Sequence, residues 1–207
     1  MAGPIRRVYQ RRSARPAITL AVALVLVVAA TWIVVLGNAP KGPAGADCPT
    51  STVAAQGSVQ DTTALDSVAP APPNTVRIRV LNGGGQRGQA NLVASQLGEL
   101  GFTEAADPVN DPLYPEGNLS CRGNIRYGGP GAAAARTMSL VLPCVSLVKD
   151  DRADDTIDVA VGTLFGDVNP SKAARDALDQ LDGPGGSGGV GPGADPELVT
   201  AAREVPC

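Results

Sequence analysis

Three kinds of hydrophobic patterning follow one another along the chain. The first is an unbroken apolar run: residues 17–36 read AITLAVALVLVVAATWIVVL, without a charge. As a helix rising about 1.5 Å per residue, that run spans about 30 Å, the thickness of a bilayer hydrocarbon core. The second is short, strand-like apolar patterning, clearest at 76–81 (VRIRVL), where apolar and basic residues alternate, and present at 102–106, 124–127 (NIRY), 144–148 and 156–161. It predicts five strands. The third has a helical period. Over 89–100 it places Ala90, Val93, Leu97 and Leu100 on one face, with Gly101 just past the end. An alanine-rich helix is expected from the Gly-Gly-Pro-Gly turn at 128–131 to about Leu142. A further helix, capped by Asn169 with Pro170 at its first position, buries Ala174, Leu178 and Leu181.

Segments without periodicity separate these elements. Residues 37–75 hold six prolines and four glycines, which predicts a partly extended linker. Residues 107–121 are punctuated by Pro108, Pro112 and Pro115 and read as irregular. Residues 183–194 hold seven glycines and two prolines and read as a second linker, ahead of a short helix over 197–204. The compact unit is expected over 76–182, long enough for a core. The expected fold class is α/β: one N-terminal transmembrane helix plus a small extracytoplasmic mixed-sheet domain with βαβ units and flanking helices.

Charge gives this layout an orientation. Residues 1–16 carry Arg6, Arg7, Arg11, Arg12 and Arg15 and no acid, so they are +5, while the remaining residues are −8. Arginines before the apolar run place the N-terminus in the cytoplasm and the chain after Leu36 outside. A cleaved signal peptide is the competing reading, with 44–46 (AGA) as its cleavage site. Its apolar region would be longer than the usual 7–15 residues, and Ala44 lies well beyond its end. The −8 body does not suit nucleic acid. The chain has no histidine. That excludes Ser-His-Asp and Cys-His catalysis and His-ligated metal.

All four cysteines follow the apolar run, and no pair has CxxC spacing. Outside the cytoplasm this reads as two disulfides, with three connectivities possible. Cys121–Cys144 with Cys48–Cys207 is the favoured pairing. The acidic turn 149–155 (KDDRADD) lacks the spacing and distal glutamate of a calcium loop and is expected to be solvated. No metal site and no cofactor are expected. Asn118-Leu119-Ser120 fits a glycosylation sequon.

Gly83, Gly85 and Gly88 fit G-x-G-x-x-G between a predicted strand and a helix, and Asp107 lies 19 residues further on. The domain is about half a dinucleotide fold, and Glu104 interrupts the strand before Asp107. Glycines also serve a sharp strand-to-helix turn. No nucleotide is expected.

The run 76–90, VRIRVLNGGGQRGQA, continuing to Leu97, Gly101 and Phe102, resembles the opening of the LytR C-terminal domain family. The resemblance covers about 76–165 and ends in the strand 158–162 (DVAVG). In many relatives this domain follows a LytR-CpsA-Psr phosphotransferase domain, which has no counterpart here. GQRGQAN (85–91), NDPLYP (110–115) and GTLFGDVNP (162–170) look like a smaller group of stand-alone, membrane-anchored cell envelope integrity proteins of actinobacteria. That likeness implies a role in maintaining the envelope rather than an enzyme activity. It carries over no ligand residues.

A weak internal echo relates Ile78-Arg79-Val80 and its glycine loop to Ile125-Arg126-Tyr127 and its glycine loop. If these two strands run parallel, the turns 82–88 and 128–131 share one sheet edge, with two helix N-termini facing it. The candidate ligand-binding residues are then Asn82, Gly84, Gly85, Gln86, Arg87, Gly128 and Gly129. The expected ligand is an anionic or polyhydroxylated cell-wall polymer, or a wall-synthesis protein; the competing reading is a structural glycine edge with no ligand. Residues 17–36 are expected to contact the cell membrane. The leading expectation is a non-catalytic binding or scaffold module. The alternatives are an enzyme on wall polymers, or an accessory subunit for their attachment or processing.

Overall fold

The structure, a computed structural model, describes residues 15–37, 48, 57–183, 193–205 and 207. Residues 1–14 of the basic segment, 38–47 and 49–56 of the first linker, and 184–192 of the second lie outside them. Residues 1–41 and 42–207 are two separate units.

The first unit contains α1 (Arg15–Gly37), a helix of 23 residues. Ile18, Leu20, Leu24 to Val28 and Trp32 are all exposed along it. Taken over the described residues, no helix is long and apolar enough to cross a membrane. A spanning role for 17–36 therefore rests on its sequence.

The second unit is built on one mixed sheet. Its strands are β1 (Ser58–Gln60), β2 (Arg77–Asn82), β3 (Thr103–Glu104), β4 (Val109–Asn110), β5 (Gly123–Tyr127), β6 (Ser146–Lys149) and β7 (Ile157–Val161). The order is β1-β6-β5-β7-β2-β3, with β4 also beside β2. The helices are α2 (Gln89–Glu99), α3 (Ala132–Val141), α4 (Lys172–Asp182) and α5 (Pro196–Ala201). Two βαβ units result, β2-α2-β3 and β5-α3-β6, each with parallel strands.

Those two units run in opposite directions. β7 is parallel to β2 but antiparallel to β5. The turns after β2 and β5 therefore leave opposite edges of the sheet, and the shared edge expected from the echo does not form. Similar turn chemistry serves both βα units without making them parallel.

Alternation assigns the two faces. Ile78, Val80, Ile125, Tyr127, Ile157 and Val159 join Val93, Leu97, Ala135 and Met138 of the helices in the main core. Burying a side chain such as Leu97 contributes about 2–3 kcal/mol. A smaller cluster on the other face gathers Cys48, Leu81, Tyr114, Leu119, Cys121, Val148 and Ala160.

Several boundaries depart from expectation. Part of the first linker is folded: β1 pairs antiparallel with β6, and Leu65 is in the main core. Three residues are too few for a legible period. The second strand is only Thr103–Glu104, and β4 forms inside the segment read as irregular. The two pair with opposite ends of β2, around a bulge that includes Ala106 and Asp107. Ser171, rather than Asn169, caps α4, its hydroxyl accepting from the Ala174 N–H at 3.1 Å. Ala174, Leu178 and Leu181 are buried there as expected, and Ala174 and Leu181 pack with Val199 of α5.

The disulfides are Cys48–Cys121 and Cys144–Cys207, not the favoured pairing. Cys121 lies among the side chains of the smaller cluster. Cys144 borders Val141, Leu142 and Phe165 on the helical side. The sheet stands between the two, so nearness in the chain misleads. Each bridge closes a long loop, with sequence separations of 73 and 63. The chain-entropy account gives each about 4 kcal/mol.

Candidate functional site

The glycine loop after β2 is spent on its own architecture. Asn82 is buried; its side-chain amide donates to the Gln86 carbonyl at 2.8 Å, and its oxygen accepts from the Gly85 N–H at 3.1 Å. A Cβ on Gly84 would lie 2.7 Å from the carbonyl of Gly162 at the exit of β7. Gly85 and Gly117 both have positive φ, and a Cβ on Gly117 would lie 2.4 Å from the Gly85 Cα. Gln86 and Arg87 are exposed at the tip. At the opposite edge Gly128 lies against the Arg152 carbonyl, and Gly129 is exposed. The structure does not bring these two sets together.

It brings together another set. Side by side on β2, β7 and β5 stand Arg79, Asp158 and Arg126, with Asp158 in register with both arginines. Cross-strand register puts all three on the face away from the helices. Asp158 accepts from Arg79 Nε at 2.7 Å, Arg79 Nη2 at 3.1 Å and Arg152 Nη2 at 2.8 Å. Arg126 turns instead to Asp111, donating from Nη1 at 3.1 Å and Nη2 at 2.5 Å. Both partners of that pair are buried. Asp111 also accepts from the Leu113 N–H at 3.0 Å, so the same carboxylate shapes the loop that carries it. The Arg126 guanidinium lies 5.8 Å from the centre of the Tyr114 ring.

The turn read as solvated contributes to this set. Asp150 and Arg152 are only partly exposed and bonded to each other at 2.6 Å. Burial raises the pKa of the Asp150 carboxyl, but the side-chain and backbone N–H groups of Arg152 outweigh it, so Asp150 titrates below the ordinary carboxylate range. Burial also disfavours the Arg152 charge, and its bonds to Asp150 and Asp158 more than offset that, raising its pKa.

These groups line a cleft of about 490 Å³. Arg79, Arg126, Arg152, Asp150 and Asp158 supply the polar wall, and Leu81, Ala106, Val109, Pro112 and Leu113 the apolar one. Val109 and Leu113 are large apolar residues left exposed, at 54% and 44%. Three buried polar groups of this face have no hydrogen-bond partner among the described residues: Arg126 Nε, the Tyr114 hydroxyl and the Asn124 side-chain amide. Among the described residues no cluster of three ligating side chains is placed to hold a metal ion.

Sequence reasoning missed this site, although a signal was there. Arg79, Arg126 and Asp158 each stand between two apolar or aromatic residues of a strand segment. A charge at that position needs a partner on the same face.

Against known proteins, residues 75–165 match the family described as LytR cell envelope-related transcriptional attenuator. The chain is 38% identical over 170 residues to the cell envelope integrity protein Cei of Mycobacterium tuberculosis, covering 77% of this chain and 76% of that protein. The chain belongs to the cell envelope integrity protein family. A crystal structure of the soluble domain of a conserved hypothetical secreted protein from Mycobacterium marinum superposes with a TM-score of 0.65 at 36% identity. It covers 73% of this chain and 98% of that one. The mixed sheet is thus matched in a solved structure, and membership supports an envelope-related role for this member of the family.

Proposed function

We propose that this family member is a membrane-anchored, extracytoplasmic, non-catalytic binding module of the cell envelope, and that the cleft over Arg79, Asp158 and Arg126 is its binding site. The observation that carries the reading is the state of the charges in that cleft. Asp150, Asp158 and Asp111 are all tied to guanidinium groups, so among the acids at the cleft only Asp107 has no ion-pair partner among the described residues. Held in this way, the side chains are a rigid, pre-formed surface suited to recognition. Two supports bear on location. Paired cysteines favour an oxidising compartment. The uncharged run 17–36, preceded by five arginines, has the length and flank of an inside-to-outside anchor. The M. marinum relative is described as a secreted protein, which agrees.

The test uses the full chain in detergent micelles and a purified cell-wall fraction. Retention on the wall fraction should fall at least tenfold for Leu113→Glu, a change on the exposed rim, with an unchanged melting curve. Equal retention of both proteins sinks the reading. In cells, alkaline carbonate should leave the chain in the membrane pellet, and its release to the supernatant would sink the anchor.

A further inference from the structure

Accepting the cleft as the binding site, we infer that its ligand is an uncharged, polyhydroxylated chain, a stretch of neutral saccharide, and not an anionic polymer. Three arginines line the cleft, Arg79, Arg126 and Arg152, but so do three acids, Asp107, Asp150 and Asp158. Asp111 behind Arg126 adds a fourth. The wall is neutral at best and −1 with Asp111 included. A phosphate or carboxylate entering it meets guanidinium groups already bonded to carboxylates, and it loses its own hydration as well.

A hydroxyl group faces no such competition. Arg79 is bonded through Nε and Nη2, which leaves N–H groups on Nη1 unspent. The carboxylates beside it keep unused lone pairs. Donors and acceptors therefore alternate along the Arg79, Asp158, Arg152 and Asp150 row. A pair of neighbouring hydroxyls, each both donor and acceptor, matches such a row without carrying charge into it.

A second observation points to an occupant independently. Arg126 lines the cleft, is 2% exposed, and its Nε has no partner among the described residues. Leaving a buried donor on a charged group unsatisfied is costly. A neutral oxygen satisfies it at a far smaller desolvation cost than an anion. The rim completes the match. Leu81, Val109, Pro112 and Leu113 offer apolar surface beside the polar row, as the C–H face of a sugar ring requires. The cleft volume, about 490 Å³, is within the usual range of small-ligand sites.

The experiment is a ¹H–¹⁵N titration of the full chain in detergent micelles with four probes of six sugar residues each. Maltohexaose, mannohexaose and arabinohexaose are the neutral ones, and oligogalacturonate of the same length is the anionic one. At least one neutral probe should shift the amides of Ala106, Val109, Leu113 and Asp158, and should bind at least tenfold tighter than oligogalacturonate. Arg79→Gln should weaken that binding at least tenfold while the other amides stay in place. Leu113→Glu, on the exposed rim, checks the same site without touching the ion pairs. If oligogalacturonate binds as tightly or tighter, or if the wall fraction shifts these amides and no neutral probe does, the saccharide inference falls while the cleft remains the binding site. If neither the probes nor the wall fraction shifts them, both fall.

Discussion

On one face of the sheet Ile78, Ile125, Ile157 and Val159 meet α2 and α3; on the other, the same strands hold Arg79, Arg126 and Asp158 at a single level. The first face is held by surface removed from water, which is non-directional and adds up residue by residue. The second is held by paired charges, in which each partner is needed for the other to be tolerable. Losing a methyl group from the first is graded. Losing one partner from the second strands a charge. The difference teaches where the molecule has slack, and it separates the part that makes the fold from the part positioned to recognise something.

Three measurements break or sharpen the contrast. The largest effect belongs to Asp111→Ala, which leaves Arg126 buried without its carboxylate. Unfolding in urea should show a loss of about 3–5 kcal/mol. Adding Arg126→Met to that variant should recover most of it, because the stranded charge is gone. If the double variant is as unstable as the single one, the face is not governed by pairing. On the helical face Leu97→Ala should cost about 3 kcal/mol, and no second substitution of a neighbour should restore it. The smallest effect is acid sensitivity. Asp150 titrates below the ordinary carboxylate range, so its contribution is full above that range and is lost as pH falls from there through its own lower pKa. The melting temperature should drop below about pH 4, the ordinary aspartate value, and less steeply in Asp150→Asn. An identical pH profile in the two proteins would contradict the bonding of Asp150 to Arg152.

The helical face was the legible one. Periods of two and of 3.6 located β2, α2, β5, α3, β7 and the buried stripe of α4, because burial on one side writes itself into residue order. What was not legible depends on contacts distant in the chain. Strand direction is one such feature. Nothing in Ile78-Arg79-Val80 or Ile125-Arg126-Tyr127 says that β7 lies between them and reverses their relation. Disulfide pairing is another, since Cys121 and Cys144 are separated by the sheet. The two-residue strands β3 and β4 and the three-residue β1 are too short for any period. The cleft was half legible. Each central charge was visible, and its partner was not, because Asp111 and Arg152 come from segments read as irregular and solvated.

The two disulfides also prescribe how this domain carries force. A pull applied between the chain preceding Cys48 and Cys207 does not travel along the whole backbone. It crosses the sulfur bridge to Cys121, runs to Cys144, and leaves by the second bridge. Only residues 121–144, with β5 and α3, lie in that load path. The loop at 106–113, β2 and β7 hang beside it and bear no tension through the backbone. A domain strung this way can be tugged while the rim and most of the floor of its cleft stay out of the line of strain.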